Sequence, residues 1–505
     1  MLKIIKSPFF SYFVILFCFA LPLTSSLRSV ILGTFPFWFD PARDLLLAWG
    51  NINKITLIGP PSGIPGIFYG PYWVWWLSTS MVISKDPRWV DFMTLTLPYF
   101  TIFPFILYKF HRIFGKIVVV ILWLLFIFAF QNYTTYIWNP HLAPLITLII
   151  MYLLISINYY DQNIIKTILK ILFAGICLGL LINFHISFGS TVFLGSIVFL
   201  IVNAFVNYFS YKKNGSLYQF SLILIFILGI LCTYILFFSF EMRHGFQQLR
   251  VLFTVFSTNH SLVGYQGLSK QLIISLFFGK IGDILSISSL LANIFFITSF
   301  IIVIAQIKFK KVMLSSEEGK LILLSFCVGV STLSVYLLSK NPIWNYHFIG
   351  VEIIFLLVLG VFLKKIPVIR YIALVWVIYL YVHGSYQFIQ NLSSDPSTIT
   401  SASTEEHVVN IIYKNSEHKP FAVYSYNSAI YTYEYDYLFR YVGEKNHLPQ
   451  PINSFSNPTY IYLILPSQTT PVLQDFVHSH IPQNYKVKDT WVMNDKTEII
   501  KAVKE

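Results

Sequence analysis

The chain has 505 residues, of which 56% are hydrophobic and only 11% charged, against roughly 25% charged in an ordinary soluble domain. Mean hydropathy is +0.67. A soluble globule of this size could not cover so much apolar surface, so the class is an α-helical polytopic membrane protein. The net charge of +13 would suit a nucleic-acid binder, but its distribution argues for another origin.

Apolar runs of about 17–25 residues read as membrane-spanning helices. They fall near 8–26, 89–109, 116–131, 141–158, 167–184, 187–208, 218–240, 284–307, 320–339, 347–364 and 367–385, which predicts about eleven spans. The first is read as a retained helix rather than a cleaved signal, because apolar spans recur along the chain. With the N-terminus inside, Lys109, Arg112, Lys116, Lys308, Lys310, Lys311, Lys364, Lys365 and Arg370 all fall in inner segments. Basic density there is several-fold higher than in the outer loops, as expected for positive residues retained in the cytoplasm. The +13 is therefore mainly an orientation signal. An odd number of spans puts the C-terminus outside. Cys18, Cys177, Cys232 and Cys327 all lie in apolar spans without metal-ligand spacing, which reads as packing rather than a disulfide framework.

Three outer pieces are longer than connectors need to be. The first, 27–88, opens with Asp40-Pro41-Ala42-Arg43-Asp44. It continues through Leu45 to Trp49, then Gly59-Pro60-Pro61-Ser62-Gly63-Ile64-Pro65-Gly66, and then Tyr69-Gly70-Pro71-Tyr72-Trp73-Val74-Trp75-Trp76. This pattern predicts two short helices lying at the membrane surface, where Trp and Tyr are at home, joined by a Gly/Pro-rich turn. Asp40 before Pro41 reads as a helix N-cap. It also reads as a carboxylate in a partly dry interface, able to deprotonate or orient a hydroxyl. Asp44 falls one turn later on the same face.

The second piece, 241–283, contains Arg243, His244 and Arg250, with Asn259, His260 and Tyr265 in an expected mobile loop. The third, 386–505, begins with the linker Ser393-Ser394-Asp395-Pro396-Ser397 and continues as soluble sequence. Strands are expected at Ala422–Tyr426 and Tyr460–Leu465, and helices at 403–413 and Pro471–His480. The domain plan is thus a membrane domain, 1–385, and a small extracytoplasmic α/β domain, 386–505. The Tyr431–Tyr437 stretch, with Glu434 and Asp436, reads as a folded part of that domain with some capacity for carbohydrate contact. Three polar-aromatic helix ends also face outward: Trp138-Asn139-Pro140-His141, Asn183-Phe184-His185, and the 341–347 run ending in Tyr346-His347. Each alone is explained by capping; together they suggest one outward cavity.

This layout resembles the GT-C superfamily of integral-membrane glycosyltransferases, and within it the protein O-mannosyltransferases and the lipid A aminoarabinose transferases. Those enzymes carry Asp-Glu-x-Arg or Asp-Glu-x-His in the first outer loop. This chain matches at Asp40 and Arg43 but has Pro41 in place of the Glu, leaving Asp44 as a substitute acid. The 70–76 run resembles the family's second surface helix. The resemblance implies a polyprenyl- or dolichyl-phosphate sugar donor and single displacement with inversion. It also implies a glycan, lipid or protein acceptor, and Asp40 and Asp44 as catalytic acids. Arg43, Arg243, His244 and Arg250 would meet the phosphate, because guanidinium binds phosphate oxygens in pairs. Asn139, His141, His185, Tyr346 and His347 would line the acceptor cavity. A divalent metal is compatible with Asp40, Asp44 and His141 but is not required. The expected setting is a bacterial inner or plasma membrane with the N-terminus cytoplasmic. A flippase for lipid-linked sugars and an O-antigen polymerase or ligase are the alternatives. No nucleotide-binding loop is present, which disfavours a nucleotide-sugar donor.

Overall fold

The computed structural model describes residues 8–62, 66–157, 163–211, 215–257, 268–288, 316–339, 342–392, 400–426, 432–452, 457–466 and 471–505, with parts of 290–297. Helix α1 (Pro8–Leu32) leads into two surface helices, α2 (Phe39–Asn53) and α3 (Tyr72–Met81). Then come α4 (Pro87–Lys109), α5 (Lys116–Ala129), α6 (Ala143–Ile155), α7 (Ile164–Phe184), α8 (Ile186–Tyr211) and α9 (Gly215–Arg243). Two helices follow in the second outer piece, α10 (Gln247–Ser257) and α11 (Lys270–Leu285). The membrane part closes with α12 (Glu317–Leu338), α13 (Val351–Lys365) and α14 (Pro367–Leu392).

Seven helical segments are long and apolar enough to cross a membrane, and three shorter apolar ones lie at Ala20–Leu32, Lys116–Ala129 and Asn139–Ile155, all among the described residues. The predicted span 284–307 falls largely outside those residues, as do Asn259, His260 and Tyr265. The piece 241–283 is more helical than a loop: its polar start folds into α10, and its end into α11, which is capped by the Ser269 hydroxyl accepting from Leu272 N–H. Helix α14 runs to Leu392, past the predicted end at 385.

The helices α7 and α9 show why small residues matter in this bundle. A Cβ at Gly175 would sit 2.1 Å from the Phe226 carbonyl oxygen, and one at Gly179 would sit 2.2 Å from Thr233 Oγ1. Facing them, a Cβ at Gly229 would sit 2.4 Å from the Leu172 carbonyl oxygen. Gly175 and Gly179, four apart, therefore meet Gly229 and Thr233, also four apart. Lipid provides little hydrophobic drive between helices, so this backbone contact supplies the attraction.

The C-terminal domain comprises α15 (Ala402–Ser416), β1 (Phe421–Ser425), α16 (Tyr433–Asn446), β2 (Tyr460–Leu465), α17 (Pro471–His480), β3 (Tyr485–Val492) and β4 (Glu498–Lys504). Its four-stranded sheet has the order β1-β2-β4-β3. The β1–β2 pair is parallel, with α16 in the crossover, and the other two pairs are antiparallel. The two expected strands and two expected helices are present; β3, β4 and the full extent of α16 were not anticipated.

This domain packs on the first outer loop. The Tyr437 hydroxyl donates to the Lys85 carbonyl (2.5 Å) and the Tyr441 hydroxyl to Asp86 Oδ2 (2.8 Å). Arg88 pairs with Glu406 at 2.6 Å. The Arg440 guanidinium lies 4.2 Å from the ring centre of Trp49, and Lys85 Nζ lies 4.4 Å from it.

Replacing Gly175 with Val forces α7 and α9 apart. The expected cost is about 1–3 kcal/mol, read as a lower thermal midpoint of the detergent-solubilised protein. An unchanged midpoint would show that the close contact contributes nothing to stability.

Candidate active site

The site begins on α2. The helix starts at Phe39 after Trp38, whose side chain makes no cap. Asp40 is therefore in the first turn rather than at the N-cap, because its carboxylate turns to Arg43 instead of to the backbone: Arg43 Nη1 lies 2.7 Å from Asp40 Oδ1. Nε and Nη2 of Arg43 reach Asp44 Oδ1 at 2.9 and 2.7 Å. The other Asp44 oxygen accepts from the Trp73 indole N–H, 2.8 Å away, on α3. Asp44 is fully buried. The sequence reading made it a catalytic acid; with both oxygens engaged and no exposed surface, its position suits holding Arg43 and Trp73. Asp40 keeps 18% of its side-chain surface exposed and is the carboxylate that can meet a ligand.

Burial raises the pKa of both carboxyls, while Arg43 opposes the rise; Asp44 reaches about 6. Arg43 is held more firmly charged than usual, because Asp44 and then Asp40 outweigh the cost of its burial. Burial likewise keeps the Tyr69 hydroxyl protonated, reinforced by the nearby Asp40 carboxylate.

Tyr69 is placed by a tight loop. Gly59 N–H donates to the Tyr69 carbonyl (2.7 Å), and Tyr69 N–H donates to the Pro60 carbonyl (2.9 Å). Any Cβ at Gly59 would fall 2.2 Å from the Gly70 carbonyl oxygen, and one at Gly70 would fall 1.4 Å from Asn183 Oδ1. The glycines thus let this loop lie against the end of α7. Tyr69 was not singled out in the sequence, although its place before Gly70-Pro71 was a usable turn signal.

The polar-aromatic helix ends do converge here. The Trp38 indole N–H donates to the Tyr136 hydroxyl. The Trp138 ring meets Trp38 (6.1 Å), His141 (5.4 Å) and Tyr346 (5.4 Å). Tyr346 is half-buried and lies within the electrostatic reach of Asp40. The other predicted cavity residues are more deeply placed than the reading supposed. His141 bonds the Tyr136 carbonyl (2.8 Å), Asn139 donates to the Phe184 carbonyl (2.7 Å), His185 bonds the Tyr346 carbonyl (3.1 Å), and His347 Nδ1 accepts from Trp344 N–H (3.1 Å). All four are buried. Each spends a polar group on backbone at a helix end, which locks the loops around Trp138 and Tyr346.

Arg243, His244 and Arg250 lie on the neighbouring α9–α10 junction and are exposed. His244 is occupied: Nδ1 bonds the Phe240 carbonyl at 2.8 Å and the ring stacks on Phe240. Arg243 and Arg250 form no ion pair among the described residues. The junction is fixed by two buried groups. Glu241 Oε2 accepts from Leu249 N–H (3.1 Å), and Gln248 Oε1 accepts from Phe68 N–H (2.7 Å), next to Tyr69. Among the described residues, no group of three or more His, Cys, Asp or Glu could hold a metal ion.

No protein family and no curated protein matches this sequence. Among solved structures the chain is similar to ArnT from Cupriavidus metallidurans in the apo state, with a TM-score of 0.62 and 10% identity over 97% of this chain and 98% of that one. It is similar also to ArnT from Cupriavidus metallidurans bound to undecaprenyl phosphate, with a TM-score of 0.59 and 10% identity over 96% and 97% of the two chains. At that identity the likeness is one of fold, and it extends over 97% of this chain.

Proposed function

We propose that this protein transfers a sugar from a polyprenyl-phosphate carrier to an acceptor at the outer membrane surface. The observation that carries the reading is Asp40. It is a partly exposed carboxylate with one oxygen on Arg43, set on a surface helix in a fold whose ArnT neighbour binds undecaprenyl phosphate. In the proposed reaction an acceptor hydroxyl oxygen attacks the anomeric carbon as its proton passes to Asp40. The bond from that carbon to the carrier phosphate oxygen breaks, its electron pair leaves with the phosphate, and the centre inverts. A carboxyl whose pKa is raised suits a base of this kind, because it holds the proton it takes better than an ordinary one.

Arg43 is already neutralised by two carboxylates, so its work is to orient Asp40. The charge growing on the leaving phosphate calls for cations not committed elsewhere. Arg243 and Arg250 are the candidates, with Tyr69 and Tyr346 as hydroxyl donors beside Asp40. A flippase is less well supported. It calls for ionisable groups at mid-membrane depth, whereas the buried acids Asp91 and Glu352 sit within the first five residues of α4 and α13.

Asp40→Asn should fold and insert normally while losing roughly a hundredfold or more of the transfer rate, measured with radiolabelled sugar on a polyprenyl phosphate. Wild-type turnover by that variant would remove Asp40 from the chemistry. Arg243→Ala should lower kcat/KM for the donor roughly tenfold, the scale of one lost charged hydrogen bond, with a fall in kcat. A rise in KM alone would assign Arg243 to holding the carrier phosphate before reaction, and an unchanged kcat/KM would remove it from the site.

The pH dependence follows from the raised carboxyls. The base and its Arg43 support work ionised, so activity should climb with pH through a range above that of ordinary carboxylates, reaching to about 6 for Asp44. Trp73→Phe removes a donor that favours ionised Asp44 and should move the climb to higher pH. For stability the sign is opposite. Folded Asp44 holds its proton more tightly than unfolded Asp44, so its contribution is full below the unfolded value of 3.8 and is lost as pH rises through about 6. A pH–rate profile and a pH series of thermal midpoints check the two halves separately.

A further inference from the structure

The C-terminal domain holds a cavity of about 390 Å³, apart from the Asp40 site, between the end of β1 and one face of α16. Ser425, Thr432, Tyr435, Asp436, Arg440 and Gln450 are among the residues lining it. The size falls within the roughly 300–1,000 Å³ of small-molecule sites. Most of these side chains carry planar or hydroxyl groups that can donate or accept, and Tyr435 and Phe439 add aromatic surface.

The charges narrow the ligand class. Arg440, the one cation in the lining among the described residues, is already used: its guanidinium lies over Trp49, and Nε pairs with Glu444 Oε1 at 3.4 Å. Glu444 also takes Lys85, at 2.8 Å. Asp436, on the same wall, makes no ion pair and no side-chain hydrogen bond among the described residues. A phosphate or carboxylate ligand would meet this carboxylate and find no spare cation. A purely apolar group would leave Asp436, Ser425 and Thr432 facing it unmatched, while Gln450, whose Nε2 donates to the Phe439 carbonyl, would still lack a partner for its Oε1. A polyol satisfies all of these demands, its hydroxyls donating to Asp436 and exchanging hydrogen bonds with Gln450, Ser425 and Thr432.

We infer that this cavity is a second, non-catalytic binding site for a neutral or amino-substituted carbohydrate. The inference goes beyond the transfer reaction and stands if Asp40 proves to do other chemistry. It also gives the C-terminal domain a purpose. Helix α16 forms one wall of the cavity and also docks on the segment 27–88, through Arg440 on Trp49 of α2 and Tyr437 on the Lys85 carbonyl. A glycan bound there is held by the same element that packs against the helix carrying Asp40.

The test uses the full chain in detergent, titrated by calorimetry with four linear tetrasaccharides: of glucose, of N-acetylglucosamine, of glucosamine and of galacturonic acid. At least one of the first three should bind, and the acidic one should not. Asp436→Asn, isosteric and at an exposed position, should weaken the binding at least tenfold. Ser425→Phe should abolish it by filling the cavity. Both variants should keep the wild-type thermal midpoint, and Asp40→Asn should bind the tetrasaccharide as wild type does. Binding of none of the four, binding of the acidic tetrasaccharide alone, or binding unaffected by both substitutions would overturn the site. Loss of binding in Asp40→Asn would move the ligand to the candidate active site instead.

Discussion

The segment 27–88 is organised around one largely buried guanidinium. Arg43 bonds Asp40 through one nitrogen and Asp44 through two, all within two turns of α2. Taking a guanidinium this far from water is costly unless each charge has a partner. Here two carboxylates share that task, so either one alone still pairs with the guanidinium and the second mainly fixes its orientation. The arrangement therefore has little freedom. Asp44 is anchored a second time by Trp73, so the charge cluster also fixes the angle between the two surface helices. Asp40 is the one member with surface to spare, and it inherits a position it could not hold on its own.

Around that cluster the site is built from segments far apart in sequence, and each joint uses the backbone. Gly59 and Gly70 bring their strands into contact and set Gly70 against Asn183. Asn139, His141 and His185 spend their polar groups on carbonyls at helix ends. The aromatic rings of Trp38, Tyr136, Trp138 and Tyr346 fill the space these bonds define. Three carbonyl groups in helix ends and loops, those of Tyr136, Phe184 and Tyr346, are thereby satisfied without charge.

What was legible in the sequence follows the strength of each local signal. Long apolar runs and the asymmetry of Lys and Arg made the membrane class plain. The Asp-Pro start and the 70–76 aromatic run located α2 and α3, because both depend on chemistry within a few residues. The first span was expected near 8–26, yet helix α1 continues past Arg28 to Leu32: the guanidinium is satisfied by the Asn391 carbonyl at 2.7 Å, a partner more than three hundred residues away. Strand β3 was missed because Lys486, Lys488 and Asp489 make it read as polar loop; it is an edge strand, exposed along most of its length, where such charges are normal. The histidines were assigned to an open cavity from their places at three outward-facing polar-aromatic helix ends. Whether a helix-end histidine faces a ligand or a carbonyl depends on which loop packs over it, and that information is tertiary.

The roles of the basic residues also separate once they are seen in place. Arg43 is immobile and its charge is spent, which suits a group that must hold a base within a fraction of an ångström. Arg243 and Arg250 are exposed and unpaired among the described residues, on a junction pinned to the Tyr69 loop through Gln248 and Phe68. On the proposed reading these two demands differ by nature. A proton acceptor works only at one distance and angle, so it belongs in a closed network. A phosphate on a long lipid arrives and departs, and its charge changes during the reaction. Long, solvated arginine side chains can follow it at little cost, whereas a buried pair would have to be broken each time. The division between a rigid acid cluster on α2 and free cations at the α9–α10 junction is therefore what the chemistry asks of this surface.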